Sequence, residues 1–106
     1  MGVLKITSEN FKEEVVDTDK TVLIDFYADW CGPCRAMSPI IDEIAEELSD
    51  NIKVGKINVD ENQDIAINYG VMSIPTIVII KNKEVVKTFV GVTDKQKILN
   101  GLRDAP

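Results

Sequence analysis

The chain has 106 residues, of which 44% are apolar, so it is long enough to form one domain around a single core without cross-links or a metal ion. Its formal charge of −6 disfavours nucleic acids and anionic membranes as partners, because both repel an acidic surface. The N-terminus lacks the apolar core of a signal peptide, and no window has the roughly 20 apolar residues of a membrane span, so we expect a soluble, cytoplasmic protein.

Strand-like and helix-like segments alternate from the N-terminus. Residues 3–6 (VLKI) predict a short strand, and either Thr7 or Ser8 can cap the helix that follows, whose apolar residues are Phe11, Val15 and Val16. The run at residues 21–27 (TVLIDFY) is β-branched, aromatic and almost continuously apolar. This composition is typical of a strand covered on both faces, and we expect it to be the central strand.

A long amphipathic helix is predicted after residue 31. Acidic residues occupy one side, and the other side carries apolar residues at helical spacing, namely Met37, Ile40, Ile41, Ile44, Ala45 and Leu48. The pattern continues beyond Pro39, so this proline should bend the helix without ending it.

The second half of the chain predicts a strand, a short helix and a hairpin. Residues 52–60 alternate as a strand does, and residues 63–70 predict a short helix that Gly70 ends. Two apolar runs flank Asn82 and Lys83, a separation that is typical of a hairpin. The last two strands should therefore be antiparallel neighbours.

The chain ends with a predicted helix. Residues 93–96 (TDKQ) fit a capping box, with Thr93 as the cap, and they precede the apolar stripe Ile98, Leu99 and Leu102. The resulting order, β-α-β-α-β-α-β-β-α, predicts a mixed sheet with helices on both faces, in one domain over residues 1–106.

The chain's only two cysteines, Cys31 and Cys34, lie where the predicted central strand meets the long helix. A thiol at the start of a helix faces unpaired N–H groups and the positive end of the helix dipole, and both stabilise a thiolate. We therefore expect Cys31 to be the exposed, attacking thiol. Cys34, one turn inside, could then attack a mixed disulfide formed at Cys31, releasing reduced substrate and leaving the pair oxidised.

Three other interpretations of the pair remain. A structural disulfide across so short a loop would contribute only about 2 kcal/mol, and cytoplasmic proteins seldom carry one. A zinc site needs four nitrogen or sulfur ligands, which two cysteines and no histidine could supply only in a dimer that shares them. The third interpretation is two unrelated buried cysteines. The strand-to-helix junction favours a reversible dithiol, with no metal ion and no other cofactor.

The two residues between the cysteines bear on the direction of the reaction. Gly32 permits a tight approach, Pro33 stiffens the turn, and neither carries a charge. A histidine there would stabilise the thiolate and favour an oxidant, so its absence favours a reductant.

Four segments resemble the thioredoxin family. FYADWCGPCRAMSP, VLIDF upstream of it, and VGKINVDEN and YGVMSIPTIVIIKNKEVV downstream are similar to thioredoxins in order and spacing, over residues 20–91. The resemblance implies an α/β thioredoxin fold, with a mixed five-stranded sheet flanked by four helices. It also implies a Cys31–Cys34 redox couple that reduces disulfide-containing protein substrates and is recharged by a thioredoxin reductase. We expect the protein to be a monomer.

Two charged residues are assigned roles by the resemblance. Asp25 lies in the apolar run before Cys31, where burial would raise the pKa of its carboxyl group. The matching family aspartate lies beneath the second cysteine and accepts and donates its proton; the alternative is a strand-end carboxylate that reaches solvent. Lys56 matches a family lysine that tunes this aspartate, or it is simply a solvated lysine on a strand.

Four further residues match the family's substrate-binding surface. The resemblance places Trp30 beside the disulfide as a substrate contact, with pure core packing as the alternative. It implies that the Ile74–Pro75 bond is cis and that Ile74 offers backbone groups to an extended substrate peptide. Gly91 matches a family glycine near this face, although by sequence alone it is a strand-end glycine.

Three departures from the family pattern remove no catalytic group and bear only on the redox potential and on which reductase the protein uses. Tyr27 replaces a common tryptophan, Arg35 a common lysine and Lys83 a common turn glycine. Two other functions stay open: a redox-indifferent interaction module on the same fold, and an oxidase or isomerase of an export compartment. The missing signal sequence and the absent histidine disfavour the second of these.

Overall fold

The computed structural model describes residues 2–48 and 50–104, which form a five-stranded sheet and four helices. The strands are β1 (Leu4–Lys5), β2 (Thr21–Tyr27), β3 (Ile52–Asn58), β4 (Thr76–Lys81) and β5 (Glu84–Val90). The helices are a π-helical turn (Lys12–Val16), α1 (Gly32–Leu48), α2 (Gln63–Asn68) and α3 (Lys95–Asp104). The predicted order of elements and the α/β thioredoxin fold are confirmed. The ends of the predicted domain at Met1 and Pro106 lie outside the described residues.

The sheet brings several loops to one edge. Its strand order is β1-β3-β2-β4-β5, with β2 in the centre as predicted; β1, β3 and β2 are parallel, whereas β4 and β5 are antiparallel to their neighbours. Phe26 near the end of β2 pairs with Thr76 at the start of β4, which in turn pairs with Val90 at the end of β5. The loops after β2, β3 and β5 and the loop before β4 therefore meet at this edge.

Alternation along β2 divides the apolar core into two halves. Val22, Ile24 and Phe26 pack on the face covered by the π-helical turn and α2, whereas Leu23 packs on the face covered by α1 and α3. Because successive side chains of a strand point to opposite faces, Asp25 shares the face of Leu23. The only charged residue of β2 is therefore directed toward the helix that carries the cysteines.

The turns around α2 and between β4 and β5 form as predicted. Gly70 has a φ of +65°, and it ends α2 in a Schellman motif because its N–H donates to the Ile67 carbonyl while that of Val71 donates to the Ala66 carbonyl. Asn82 and Lys83 both have positive φ, 53° and 71°, as a two-residue hairpin of type I′ requires. Pro39 lies inside α1, which continues to Leu48.

Two predicted helix starts differ from the structure. The first helix is shorter than expected, since it forms only as a π-helical turn over residues 12–16. The predicted cap at Thr7 or Ser8 is wrong: the N-cap position is Phe11, with no side-chain capping hydrogen bond, and Thr7 accepts the N–H of Glu9 before the helix begins. The capping box that starts at Thr93 is wrong. Asp94 caps α3, since its Oδ1 accepts the N–H of Lys97 at 2.9 Å, whereas the Thr93 hydroxyl donates to the Gly91 carbonyl at 3.1 Å. The described helices include none with the length and apolarity needed to cross a membrane.

Candidate active site

The two cysteines form a disulfide at the start of α1. Their Cα atoms lie 5.3 Å apart, and α1 begins at Gly32, so Cys31 occupies the N-cap position. The Cys31 N–H donates to the Ala28 carbonyl at 3.2 Å, and the Cys34 N–H donates to Cys31 Sγ at 3.2 Å. A sulfur at this place accepts one of the unpaired N–H groups of the first helical turn, an interaction that stabilises a thiolate after reduction.

The predicted exposure of Cys31 is wrong for the oxidised protein. Cys31 is 3% exposed and Cys34 is 4% exposed, so burial does not distinguish the two sulfurs. The loop before β4 contributes to this burial, since Cys31 Sγ lies 3.9 Å from the carbonyl oxygen of Ile74, and Tyr27 and Val59 also pack against the pair. The two cysteines differ instead in the space that each one lines.

Cys31 lines an open cleft of about 490 Å³ between the β2–α1 loop and the α2–β4 loop. None of the residues that form the cleft carries a charge: they are Trp30, Cys31, Gly32, Pro33, Val59, Val71, Met72, Ser73 and Ile74. An uncharged, largely apolar cleft beside a disulfide is suited to contact the side chains of another protein.

Cys34 lines a different cavity, of about 210 Å³, together with Asp25. Asp25 is 5% exposed, and among the described residues its Oδ1 finds no hydrogen-bond partner. Burial raises the pKa of the Asp25 carboxyl from 3.8 to about 7, although the positive charge of Lys56 opposes the rise and the negative charge of Asp42 adds to it. The alternative of a solvent-exposed strand-end carboxylate is therefore wrong. A carboxyl group with this pKa can exchange a proton near neutrality.

Lys56 and two of the departures from the family pattern surround this cavity. Lys56 is exposed on β3 beside Asp25, and its Nζ lies 5.6 Å from the centre of the Tyr27 ring. Arg35 also lines the cavity and donates to the Asp29 carbonyl at 3.1 Å. Lys56 is therefore both a solvated lysine on a strand and a neighbour of Asp25, so the two interpretations of this residue are compatible.

Trp30 projects from the β2–α1 loop and is 68% exposed, which rules out pure core packing. Its indole N–H donates to the carboxylate of Asp60 at 2.7 Å. The Asp60 N–H is in turn held by the side chain of Asn58 at 2.9 Å. The loop after β3 therefore fixes the orientation of an exposed aromatic ring beside the cleft.

The residues predicted around Pro75 lie at the same edge of the sheet. The Ile74–Pro75 bond is cis, Ile74 lines the cleft, and Pro75 is buried behind it. Gly91 has a φ of +88°, and its N–H donates to the Pro75 carbonyl at 2.8 Å. Gly91 therefore supports the Pro75 segment but does not line the cleft itself.

Sequence reasoning missed two contributors to the site, Asp60 and Met72. Asp60 follows β3, whose carboxyl end lies beside that of β2, so the parallel pairing could have indicated it. Met72 lies in an irregular loop, where no hydrophobic period marks a residue as a cleft contact. Within residues 2–48 and 50–104, no group of three or more His, Cys, Asp or Glu side chains is placed to hold a metal ion.

Comparisons with known proteins agree with this geometry. The Thioredoxin family model matches residues 2–104. A thioredoxin of Pyropia yezoensis is 49% identical over 102 residues, which cover 96% of this chain and 95% of the relative. A thioredoxin of Porphyra purpurea is 50% identical over 98 residues, with 92% of each chain covered. Thioredoxin 1 of Synechococcus elongatus is 47% identical over 97 residues, covering 92% of this chain and 91% of the relative.

Proposed function

The chain belongs to the thioredoxin family and is a thiol-disulfide oxidoreductase that acts as a protein-disulfide reductase, and on this premise we propose how its residues divide the reaction. Cys31 is the attacking thiol and Cys34 the resolving thiol. The observation that carries this assignment is the separation of the two sulfurs between different spaces: Cys31 lines the uncharged cleft, and Cys34 lines the cavity that contains Asp25.

The reaction begins with the pair reduced and a substrate disulfide in the cleft. The Cys31 thiolate attacks one substrate sulfur, the substrate S–S bond breaks, and the second substrate sulfur leaves and takes up a proton. Cys34 then loses its proton and attacks Cys31 Sγ, which releases the first substrate sulfur as a thiolate. The substrate gains two electrons, and the Cys31–Cys34 disulfide forms again without a further cofactor.

Asp25 is the proton acceptor and donor for Cys34. Cys34 is 4% exposed in the oxidised protein, so bulk water has little access to its sulfur, and the carboxyl group that shares its cavity has a pKa of about 7. Lys56 tunes Asp25 through its positive charge, which favours the ionised carboxylate. Gly32 and Pro33 tune the redox couple by shaping an uncharged turn between the sulfurs.

Four residues build the substrate-binding site: Trp30 and Ile74 contact the substrate, and Pro75 and Gly91 support them. Trp30 contributes an exposed ring at the cleft, and the backbone of Ile74 pairs with an extended substrate segment as an added strand would. Pro75 and Gly91 hold that backbone in place through the hydrogen bond between them.

The protein acts as a cytoplasmic electron carrier. It is a monomer with one thioredoxin domain over residues 1–106, and a thioredoxin reductase returns electrons to its disulfide. A formal charge of −6 supports protein partners over nucleic acid or a membrane surface.

Trapping of mixed disulfides tests the order of attack. Cys34→Ser should accumulate a stable mixed disulfide with an oxidised protein substrate such as insulin, because Cys31 can attack but the resolving thiol is missing. Cys31→Ser is the matched control and should trap little, since its remaining thiol, Cys34, lines the cavity that contains Asp25 and not the cleft. Non-reducing electrophoresis and mass spectrometry of the linked peptides would measure both. Efficient trapping by Cys31→Ser, with none by Cys34→Ser, would reverse the assignment.

A further inference from the structure

Met72 combines two properties that the reaction described above does not use. Its side chain is 96% exposed, and it lines the same cleft as Trp30 and Cys31. A flexible, polarizable thioether at this position can adapt to substrate side chains of different shapes. The same exposure makes its sulfur accessible to peroxides.

We propose that Met72 is a substrate-contact residue whose oxidation to methionine sulfoxide weakens the binding of protein disulfides while the Cys31–Cys34 chemistry continues. The inference rests on the proposed function of the cleft. The oxidant is a peroxide: its O–O bond breaks, one oxygen is transferred to the Met72 sulfur, and water or an alcohol leaves. The thioether loses two electrons and the peroxide gains them.

The surroundings of the other sulfur atoms make Met72 the selective target. Met37 is the second methionine in the described part of the chain; it is fully buried, and its sulfur accepts the N–H of Thr93 at 3.3 Å. Both cysteine sulfurs are buried and bonded to each other in the oxidised protein. Peroxide treatment of the oxidised form should therefore modify Met72 before it reaches these groups.

The sulfoxide changes the character of the cleft at one point. Its S–O group is polar and hydrogen-bonding, whereas the surrounding surface is uncharged and largely apolar. An apolar substrate side chain that packed on the thioether would instead contact the polar S–O group and displace its water, which weakens binding. Because Met72 does not line the cavity that holds Asp25, the resolution step keeps its proton acceptor.

Peroxide treatment followed by kinetics tests the inference. Oxidised wild-type protein is exposed to millimolar hydrogen peroxide, mapped by peptide mass spectrometry, and assayed for reduction of insulin and of a small aromatic disulfide, with dithiothreitol as reductant. We expect Met72 to be oxidised well before Met37, and KM for insulin to rise about 5-fold with kcat within about twofold, the size expected for losing one apolar rim contact. The small disulfide should show a smaller rise, because it presents fewer side-chain contacts to the cleft than a protein substrate does.

Two variants locate the effect. Met72→Leu keeps an apolar side chain without an oxidisable sulfur, so peroxide should leave its insulin KM equal to that of the same variant before treatment. Met72→Gln, which is polar like the sulfoxide, should show the raised KM without peroxide.

The outcomes separate the inference from the proposed function. Two results would overturn the inference alone. One is an unchanged insulin KM in protein shown to be oxidised at Met72, and the other is an equal rise in the insulin KM of peroxide-treated Met72→Leu. Failure of untreated wild-type protein to accelerate insulin reduction over dithiothreitol would overturn the proposed function, and the inference with it.

Discussion

Replacement of Asp25 by asparagine should make the protein more stable and less active, and both effects should depend on pH. Burial raises the pKa of this carboxyl group from 3.8 to about 7 in the folded protein. Between these two values the folded state holds a proton that the unfolded state has lost. Stability therefore falls as the pH rises through this interval, and the full penalty is present above about pH 7.

The size of the effect follows from the pKa. A rise from 3.8 to about 7 corresponds to about 4 kcal/mol, because each pKa unit represents about 1.36 kcal/mol. The amide of the Asp25→Asn variant cannot ionise, so the oxidised variant should exceed the wild type in free energy of unfolding by up to about 4 kcal/mol at pH 8. The difference should shrink toward zero near pH 4, where the wild-type carboxyl group is neutral. An amide and a neutral carboxyl group leave the same buried oxygen site unpaired, so that cost largely cancels.

Urea unfolding of the oxidised proteins at several pH values between 4 and 8 would measure the difference. Asp29→Asn is the matched control, because Asp29 lines the same cavity but its side chain is exposed. The Asp29→Asn variant should change the free energy of unfolding little, and this change should not grow with pH. A gain in the Asp25→Asn protein that is equal at pH 4 and pH 8 would refute the burial of an ionisable carboxyl group as its cause.

Turnover completes the test. Asp25→Asn should reduce insulin disulfides more slowly, most clearly near neutral pH, because Cys34 then lacks its proton acceptor. The more stable variant would thus be the less active one, which excludes general unfolding as the reason. Turnover equal to wild type from pH 6 to pH 8 would remove Asp25 from the resolution step, even if the stability result agreed.

Two further predictions concern stability away from the site. Lys83→Gly should raise the free energy of unfolding by about 1 kcal/mol in urea denaturation, since Lys83 has a φ of 71°, a strained backbone conformation for lysine. Asn82→Gly should raise it less, because asparagine tolerates a positive φ. A lower free energy of unfolding for Lys83→Gly would contradict backbone strain at this residue. Asp94→Ala should lower the free energy of unfolding by about 1 kcal/mol through loss of the α3 cap, whereas Gln96→Ala should have little effect. A larger loss for Gln96→Ala than for Asp94→Ala would favour the capping box that starts at Thr93.

The parts of the fold predicted correctly are those with strong local patterns. The continuous apolar run of β2 indicated a strand covered on both faces, and the helical period of α1 persisted beyond Pro39. Asp25 could be singled out because a carboxylate interrupts an otherwise apolar strand. The capping prediction failed because Thr93 and Asp94 are adjacent cap formers, and the sequence pattern alone does not choose between them.

The features that helical and strand periods did not indicate depend on loops that are distant in sequence. The burial of Cys31 depends partly on the segment at Ile74, 43 residues away, and no pattern around the cysteines indicates that contact. Trp30 is held by Asp60 from the neighbouring loop, and Met72 completes the cleft from a third loop. Helical and strand periods describe how a segment meets the core, so they carry no information on how irregular loops meet each other.

The division of surroundings at the disulfide also bears on how the proposed site would treat different substrates. In the proposed mechanism, attack at Cys31 requires that a substrate sulfur reach an uncharged cleft, whereas resolution at Cys34 requires a proton acceptor that lines a different cavity. The two requirements are separated because Asp25 lies on β2 in the cavity that Cys34 lines, whereas loop residues that include Trp30 and Met72 form the cleft. Substitutions in the cleft should therefore change KM from one substrate to another, whereas substitutions around Asp25 should change the pH dependence of turnover for all substrates alike.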